Sequence, residues 1–404
     1  MPQTPTFGVQ GLCDEGFEQV RDEFERNFAE RGEAGASLAV TVADRTVVDL
    51  WGGAADPEGS RPWERDTIVV VWSATKGVTA LCAHILADRG ELDLEAPVAQ
   101  YWPEFAQNGK DSIPVRMLLN HQAGLPALRE PLPAGAFYDW DFMTAALAAE
   151  APFWKPGFQH GYHGFSFGFL VGEVLRRVSG TDMGRLVHDE VTAPLGLDLH
   201  LGLAPQDEPR VAPVIAQPPP DPQKLSPLQA AAFADPTSPS ALMVMNNGGY
   251  MAPGECDTRA AHAALLPSTG AVTNARGLAG LYRPLANGGG RLVSEGTVRR
   301  MAAVESAGMD SVLQMPNRWS SGYVKAVDNR PLGPDNSLLI AEEAFGHPGI
   351  GGSIGFADPK ARVSFGYAMT RHGGGAGLNE RGQSLIDAVY RSLGYETDAY
   401  GTWA

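Results

Sequence analysis

Ser73 and Lys76 form an S-x-x-K pattern in the stretch WSATK, residues 72–76. Residues three apart share one face of a helix, so the lysine amine can lie against the serine hydroxyl. An amine among apolar neighbours loses hydration, which lowers its pKa and lets it accept the hydroxyl proton. A helix start adds unpaired N–H groups and a positive dipole end that favour a developing alkoxide. The pattern predicts a serine nucleophile with a lysine base; the alternative is a helix-capping serine followed by a solvated lysine.

Two further serines match G-x-S-x-G, the pentapeptide that holds the nucleophile of many serine hydrolases: Ser353 in GGSIG and Ser166 in GFSFG. A nucleophile of this kind needs a strand before it and a helix after it. Ser353 is followed by a turn into a later strand, and Ser166 is preceded by HGYH, which does not predict a strand. In a chain with 48 glycines such matches arise by chance. We predict that neither serine is catalytic.

Hydrophobic spacing predicts the elements that position Ser73. The apolar run IVVVW, residues 68–72, indicates a strand that leads into a buried helix ending at Gly90. An amphipathic helix behind Asp14 ends near Gly32, before a hairpin at residues 37–42 and 46–51. Later segments predict helices at residues 114–120, 142–149, 165–177 and 183–192, strands near residues 322–326, 338–342 and 362–369, and a last helix before Gly394.

The order of these elements predicts an α/β (α+β) architecture. Both ends of the chain, residues 1–88 and 263–404, are expected to share one antiparallel sheet flanked by helices. Residues 89–262 are expected to form a second, mostly helical domain. Ten of the 36 residues from 205 to 240 are proline, which predicts an extended excursion over the surface without a regular helix or a central strand.

Charge and composition exclude several classes of function. Lys+Arg 31 against Asp+Glu 47 gives −16, a sign that repels nucleic acid and anionic membrane surfaces. The first residues lack a basic, then apolar leader, and no run of about 18 apolar residues follows, so we expect a soluble, cytoplasmic protein. Cys13, Cys82 and Cys256 are expected to be free thiols. His160 and His163 lack a carboxylate partner in motif position, so no metal site is expected there. No cofactor is expected either, because a serine nucleophile with a side-chain base needs none.

Beyond WSATK, a series of ordered segments resembles the serine β-lactamase and penicillin-binding-protein superfamily, closest to class C β-lactamases and family VIII carboxylesterases. The resemblance covers roughly residues 35–395. The segments are RGELDLEAPV (residues 89–98), MLLNHQAGLP (117–126), PG (156–157) with Tyr162, GE (172–173), SG (179–180), PLGL (194–197), STGAVTNARGL (268–278) and FGHPG (345–349). Each segment alone is weak, but their common order is specific.

The resemblance implies a β-lactamase-like fold and a catalytic group drawn from both domains. Tyr162, at the tyrosine of a Y-x-N element, would share a proton with Lys76 and pass it to the leaving group; the alternative is a packing aromatic. The backbone N–H groups of Ser73 and Ile350 would form the oxyanion hole, with Gly349 letting the edge strand approach a bound carbonyl. The stretch before Ser353 would thus bind the acyl group, with Ser353 itself a turn residue.

Two positions depart from the family pattern. Gly164 stands where β-lactamases and peptidases have an asparagine that binds the substrate amide, and His347 replaces the lysine that helps to bind the β-lactam carboxylate. His347 is expected at the substrate, or else packed against the strand as a spectator. A site without these polar contacts discriminates weakly in favour of amide and carboxylate substrates. Ester hydrolysis is therefore favoured over β-lactam hydrolysis.

The motif and the family resemblance together predict a serine carboxylesterase for small to medium acyl esters, acting through an acyl-enzyme on Ser73. Aromatic residues are expected to bind an apolar acyl or alcohol group, among them Trp72, Phe158, Phe153, Trp154 and Phe165. The partner is a small-molecule ester, with no nucleic acid and no membrane; the oligomeric state is open. A β-lactamase or D,D-peptidase, an amidase or acyltransferase with the same nucleophile, and a non-catalytic penicillin-recognising or scaffold protein remain alternatives.

Overall fold

The computed structural model describes residues 7–217, 225–375 and 377–404. The strands in this part of the chain are β1 (Gln10–Cys13), β2 (Gly35–Val42), β3 (Arg45–Gly53), β4 (Val69–Val70), β5 (Leu199–Leu201), β6 (Ala271–Thr273), β7 (Ser306–Met309), β8 (Pro316–Trp319), β9 (Phe345–Pro348), β10 (Ile354–Asp358) and β11 (Val363–Met369). The α-helices are α1 (Glu18–Glu30), α2 (Thr75–Asp88), α3 (Val98–Tyr101), α4 (Arg116–Leu119), α5 (Trp140–Ala149), α6 (Ser166–Ser179), α7 (Met183–Val187), α8 (Ala193–Leu195), α9 (Pro227–Ala234), α10 (Pro239–Met245), α11 (Arg259–Ala263), α12 (Ala275–Ala286), α13 (Glu295–Ala302) and α14 (Glu380–Ser392).

The main sheet has six strands in the order β1-β3-β2-β11-β10-β9, and every neighbouring pair is antiparallel. The two ends of the chain meet at the centre of this sheet, where β2 pairs with β11 and Leu38 lies opposite Tyr367. This arrangement confirms the predicted antiparallel sheet built from both ends of the chain. The strand β9, which carries His347, lies at one edge.

The two faces of the sheet carry side chains of different size, because successive residues of a strand point to opposite faces. Leu38, Val40 and Phe365 pack in one core with side chains from α1 and α14. On the other face Ala39 packs against α12, and a side chain at Gly366 would come within 2.2 Å of the Ala275 carbonyl oxygen. Small residues thus let α12 lie directly on the sheet, and helices flank both faces.

A second, three-stranded sheet supports the start of α2. Its order is β4-β6-β5, so it joins β5 from the helical middle of the chain to strands that precede and follow that middle. The strand predicted at residues 68–72 is shorter than expected: β4 is limited to Val69–Val70, Ile68 adds an isolated bridge to Val211, and Trp72–Ala74 form a turn of 3-10 helix before α2. The division into domains at residues 88 and 263 remains a prediction.

The helical middle confirms most of the predicted helices but corrects the proline-rich segment. The helix predicted at residues 114–120 is limited to Arg116–Leu119. Within residues 205–240 the chain forms α9, which contradicts the expected extended excursion; residues 218–224 lie outside the described residues. Proline fits the first position of a helix, where its missing N–H would have no partner. Ser226 and Gln229 also complete a capping box at this start.

The C-terminal part differs from the prediction in where the strands lie. Residues 322–326 and 338–342 make only isolated bridges, among them Val324 to Gly346 and Val327 to Leu338. Residues 354–358, expected as a turn, form strand β10, which lies between β9 and β11 and pairs with both. Glycine at position 355 obscured this strand in the sequence, but its lack of a side chain makes room for Tyr282 of α12. In the described ranges, every helix is too short or too polar to span a bilayer.

We expect Glu33→Ala to lower the free energy of unfolding by about 3–5 kcal/mol, because it leaves the buried guanidinium of Arg381 without its counter-ion. The two side chains are 3.1 Å apart and almost fully buried, and their contact ties the α1–β2 junction to α14. Chemical denaturation followed by circular dichroism measures the loss. Glu30→Ala is the matched control, since Glu30 makes an exposed pair with Arg26. Equal losses in the two variants would contradict the interpretation.

Candidate active site

Ser73 lies on the 3-10 turn between β4 and α2, and it lines the apolar cavity described below. The preceding residue, Trp72, has a φ of 49°, a left-handed conformation that is rare for a bulky side chain and costs energy unless its surroundings hold it in place. Lys76, three residues further on, has its Nζ 3.1 Å from Ser73 Oγ. The spacing predicted from the sequence is therefore realised as a direct contact.

The Lys76 amine is fully buried and donates hydrogen bonds to two backbone carbonyls, Gly164 O at 2.7 Å and Ser268 O at 3.2 Å. Among the described residues no carboxylate forms an ion pair with it. Burial lowers the pKa of Lys76 well below its usual range. A neutral amine has two N–H donors and one lone pair. With both donors satisfied by the carbonyls, the lone pair is left facing the Ser73 hydroxyl.

Tyr162 contacts the same oxygen, and its ring lies beside the Lys76 amine, with 4.9 Å from Nζ to the ring centroid. Its hydroxyl donates a hydrogen bond of 2.7 Å to Ser73 Oγ. Burial raises the pKa of Tyr162, which favours the phenol over the phenolate. A phenol that donates to Ser73 Oγ leaves the serine's own proton directed at Lys76. The three side chains thus form one chain of hydrogen bonds with a defined direction.

The edge strand β9 passes close to the start of α2. A side chain at Gly349 would place its Cβ only 2.2 Å from the Val71 carbonyl oxygen, so only glycine permits this approach. Gly349 and the following residue, Ile350, both line the cavity beside Ser73. Within the described residues, the backbone N–H groups of Ser73 and Ile350 donate no hydrogen bond to another protein group. Two free donors beside a serine oxygen are what a developing oxyanion requires.

His347 lies on β9 and lines the cavity near Tyr162, with 6.1 Å between the two ring centroids. Its Nδ1 is 2.7 Å from the Pro348 carbonyl oxygen, a contact that fixes the proton on Nδ1. Burial, together with Lys76, lowers the pKa of His347 to about 3. The imidazole is therefore neutral around neutral pH and cannot replace the positive charge of a lysine at this position.

The cavity in front of Ser73 has a volume of about 350 Å³, and none of the described residues that line it carries a charged side chain. Polar groups such as Thr269 and Asn317 contribute to one part of the wall. The apolar part consists of Phe165, Leu228, Met243, Val244, Met251, Leu313, Met315, Trp319, Val324, Val327, Leu338, Pro348 and Ile350. The cavity can hold an uncharged, largely apolar group next to the serine.

Gly164 has a structural reason for departing from the family's asparagine. A Cβ at this position would lie 2.6 Å from the sulfur of Met243, so the methionine occupies the space that a side chain would need. Met243 belongs to α10, which begins at the end of the proline-rich segment. The polar contact of an amide side chain is thus replaced by an apolar wall.

Two predicted substrate-binding residues do not line the cavity. Phe158 is 74% exposed and packs against the Lys155 amine, so it lies outside the cavity wall in which it was expected. Trp72 is buried behind the wall, where its ring contacts Tyr250 and His372 edge-on. Of the other aromatics expected here, Phe165 is a lining residue. The left-handed backbone at Trp72 directs its side chain away from the cavity, and the sequence does not reveal such a backbone conformation.

The two rejected serines also lie away from the cavity. Ser166 begins α6 and donates a 2.6 Å hydrogen bond to Leu125 O. Ser353 is buried between β9 and β10, and its carbonyl oxygen accepts the Gly349 N–H at 2.6 Å. Ser353 therefore shapes the strand turn that holds Gly349 and Ile350, as predicted for this stretch.

Histidines near the site take structural hydrogen bonds. His163 accepts the Leu125 N–H through Nε2 and contacts Gly161 O through Nδ1. His121 Nδ1 accepts the His163 N–H, and its φ of 63° shows that it occupies a tight turn. In the part of the chain that the structure describes, no group of three or more histidine, cysteine or acidic residues could hold a metal ion.

Sequence reasoning missed three contributors to the site: the Ser268 carbonyl, Met243 and Trp319. Ser268 was included in the quoted STGAVTNARGL segment, but a backbone carbonyl acts through its position, which no residue type reveals. Met243 carried no local signal. Trp319 stacks on Tyr162 with ring centroids 5.4 Å apart and planes 5° apart, a contact between residues far apart in sequence.

Comparison with known proteins places the chain in a family. A beta-lactamase family model matches residues 21–389. The chain belongs to the beta-lactamase family. Esterase/beta-lactamase LipL of Mycobacterium tuberculosis is 36% identical to it over 397 residues, which cover 92% of this chain and 87% of LipL. Similar proteins are also found among solved structures.

A family VIII carboxylesterase is 38% identical, with a TM-score of 0.82 and coverage of 95% of this chain and 100% of its own. A penicillin-binding-protein homologue from Caulobacter crescentus is 35% identical, again with a TM-score of 0.82 and coverage of 95% and 100%. These values confirm the predicted beta-lactamase-like fold over nearly the whole chain.

We expect Gly349→Ala to lower kcat/KM about 10²- to 10³-fold, the usual effect of losing one oxyanion donor. The added Cβ would push β9, and with it the Ile350 N–H, away from Ser73. Steady-state kinetics on a p-nitrophenyl ester measures the loss. Gly296→Ala in α13 is the control, because no heavy atom lies within 3.7 Å of its added Cβ. A G349A variant with unchanged kcat/KM would remove Ile350 from the oxyanion hole.

We expect kcat/KM to fall on the acid side as Lys76 gains a proton, at a pH below the ordinary lysine pKa of about 10.4. Burial lowers the pKa of Lys76 and so disfavours the protonated form, which has no lone pair for Ser73. On the alkaline side the phenol of Tyr162 should persist, because burial raises its pKa. A pH profile of kcat/KM, corrected for spontaneous hydrolysis, tests both limbs.

Lys76→Arg is the matched variant for this profile. A guanidinium stays protonated at every accessible pH, so we expect no turnover across the whole range. Turnover by Lys76→Arg with an unchanged acid limb would assign that limb to another group.

Proposed function

We propose that this protein is a serine carboxylesterase that hydrolyses uncharged esters with small to medium acyl groups through an acyl-enzyme on Ser73. One observation carries the proposal: Ser73 Oγ contacts both a buried amine and a half-buried phenol, and it faces a cavity whose described lining carries no charge. Such a nucleophile needs no cofactor, since the base and the proton donor are side chains.

In the proposed reaction, Lys76 accepts the Ser73 proton while Oγ attacks the ester carbonyl. The Ser73 and Ile350 N–H groups bind the oxyanion of the tetrahedral intermediate. Once Oγ has become an ester oxygen, the Tyr162 phenol is free to donate its proton to the leaving alkoxide, and the Lys76 ammonium restores that proton. Water then attacks the acyl-enzyme by the reverse sequence and releases the acid.

The neutral character of the site favours an ester over a β-lactam. A β-lactam carries a carboxylate, and removing that charge from water without a positive partner is unfavourable. His347 is neutral, and the Met243 sulfur fills the space of the family's amide side chain. Esters also need less assistance with leaving-group departure than amides do, so this reduced set of contacts suffices for them.

The relatives support this choice and define the second candidate. The esterase activity named for LipL and for the family VIII carboxylesterase agrees with the proposal. LipL is also named a beta-lactamase, and another neighbour is a penicillin-binding-protein homologue, so β-lactam hydrolysis or D,D-peptidase activity on the same serine is the alternative. Amide hydrolysis and acyl transfer to an alcohol would use the same acyl-enzyme. A cytoplasmic location and the lack of a nucleic-acid or membrane partner remain predictions from charge and composition.

We expect Ser73→Ala to abolish ester hydrolysis, because it removes the nucleophile and leaves its neighbours in place. In the wild type, acid quench during turnover of p-nitrophenyl butyrate followed by mass spectrometry should find the acyl group on the peptide that contains Ser73. Ser353→Ala is the control, since Ser353 lies outside the cavity. Undiminished turnover by S73A would refute the mechanism, and faster hydrolysis of nitrocefin than of the ester would select the second candidate.

A further inference from the structure

A buried carboxylate, Asp310, lies behind Tyr162 on the side away from the cavity. Asp310 follows β7 in the loop that connects it to β8, and it is fully buried. Two of its hydrogen bonds are local: Oδ1 accepts the N–H groups of Val312 at 2.9 Å and Leu313 at 2.8 Å. These bonds stabilise the loop in the way that aspartate commonly does in turns.

Two further hydrogen bonds leave the loop and reach the candidate site. Oδ1 also accepts the backbone N–H of Tyr162 at 3.0 Å, and Oδ2 accepts the indole N–H of Trp319 at 3.2 Å. The Trp319 ring in turn stacks on the Tyr162 ring, with 5.4 Å between the centroids and 5° between the planes. One carboxylate therefore fixes both the backbone of the tyrosine and the surface on which its ring lies.

The position of the Tyr162 ring decides where its hydroxyl falls. The hydroxyl lies at the end of a rigid side chain, so fixing the backbone and one ring face leaves it little freedom to leave Ser73 Oγ, 2.7 Å away. The charge acts in the same direction: after burial, Asp310 contributes to raising the pKa of Tyr162, which favours the hydrogen-bond donor form.

We propose that Asp310 is a positioning residue for the nucleophile: it holds Tyr162 and Trp319 so that the phenol donates to Ser73 Oγ and directs the serine proton to Lys76. The proposal rests on the proposed function only in taking Ser73 as a nucleophile; it does not depend on the substrate being an ester. Asp310 touches neither the substrate cavity nor Ser73, so it acts through Tyr162.

The test follows the second-order rate at which a fluorophosphonate probe labels Ser73 in the full-length chain. In Asp310→Asn the amide oxygen can still accept the Tyr162 N–H, but the amide N–H₂ would face the Trp319 N–H, donor against donor. We expect labelling to slow about 10- to 100-fold, the range that a misplacement of about 1 Å can cause. Combining D310N with Trp319→Phe removes the opposing donor, so the double variant should label faster than D310N alone.

Asp358→Asn is the matched control. Asp358 is also fully buried, accepts two N–H groups of its own turn (Lys360 and Ala361, both at 3.0 Å) and accepts a hydrogen bond from the Tyr390 hydroxyl at 3.0 Å. It lies outside the site, so D358N should label at the wild-type rate even if its stability falls. If labelling slows equally in D358N and D310N, Asp310 contributes only to the stability of the fold and the proposal is wrong.

A cycle with Tyr162→Phe separates positioning from a general effect on the fold. If Asp310 acts through the phenol, D310N should change the labelling rate less than about 2-fold once the phenol is absent, because the two effects are not additive. A full D310N effect in the Y162F background, or the absence of rescue by W319F in the Tyr162 background, would overturn the proposal. If Y162F is labelled too slowly to measure, the comparison of D310N with the D310N/W319F double variant tests the proposal by itself.

If circular dichroism shows that D310N does not fold, the labelling rate of W319F alone tests the proposal. This variant removes one hydrogen bond to Asp310 and keeps an aromatic ring stacked on Tyr162. We then expect labelling to slow several-fold, and a wild-type rate would overturn the proposal. The outcome is separable from the proposed function: a wild type that labels at Ser73 but does not hydrolyse esters would refute the esterase assignment and leave the Asp310 test intact.

Discussion

The candidate site depends on an amine that is buried without a counter-ion. Placing Lys76 in the core between α2 and α6 would be costly for the charged form, because no described carboxylate compensates it. The fold meets this constraint with two backbone carbonyls, one just before α6 and one just before β6. Both belong to segments outside the one that carries Ser73, so the chemistry of the S-x-x-K pattern exists only when the helical middle and the small sheet are assembled around it.

The same lack of charge extends from the base to the cavity. His347 and Tyr162 are both held in their neutral forms by burial, and methionine and leucine side chains form much of the wall. Glycine at positions 164 and 349 is needed at two close contacts, one with Met243 and one with the Val71 carbonyl. A nucleophile in such surroundings selects against charged substrates through desolvation, which connects the packing of the site with the proposed preference for esters.

Hydrophobic periodicity and capping residues predicted the helices and strands whose formation depends mainly on neighbouring residues in the sequence. The hairpin of β2 and β3, the buried helix α2 and the terminal helices follow from hydrophobic periodicity, and the structure confirms them. The predictions fail where contacts with residues distant in the sequence determine the local structure. Strand β10 contains a glycine that α12 packs against, α9 begins with a capped proline in a segment rich in proline, and Phe158 points to solvent although it lies close in sequence to Tyr162.

The sequence by itself determined the identity and spacing of Ser73 and Lys76, the resemblance that singled out Tyr162 and His347, and an antiparallel sheet made by the two ends of the chain. Only the tertiary structure decided the protonation states and the shape of the cavity. A pKa depends on how completely a group is removed from water and on which carbonyls or carboxylates surround it. Those partners, such as Ser268 and Asp310, lie far away along the chain, and their contacts exist only after the whole core has packed.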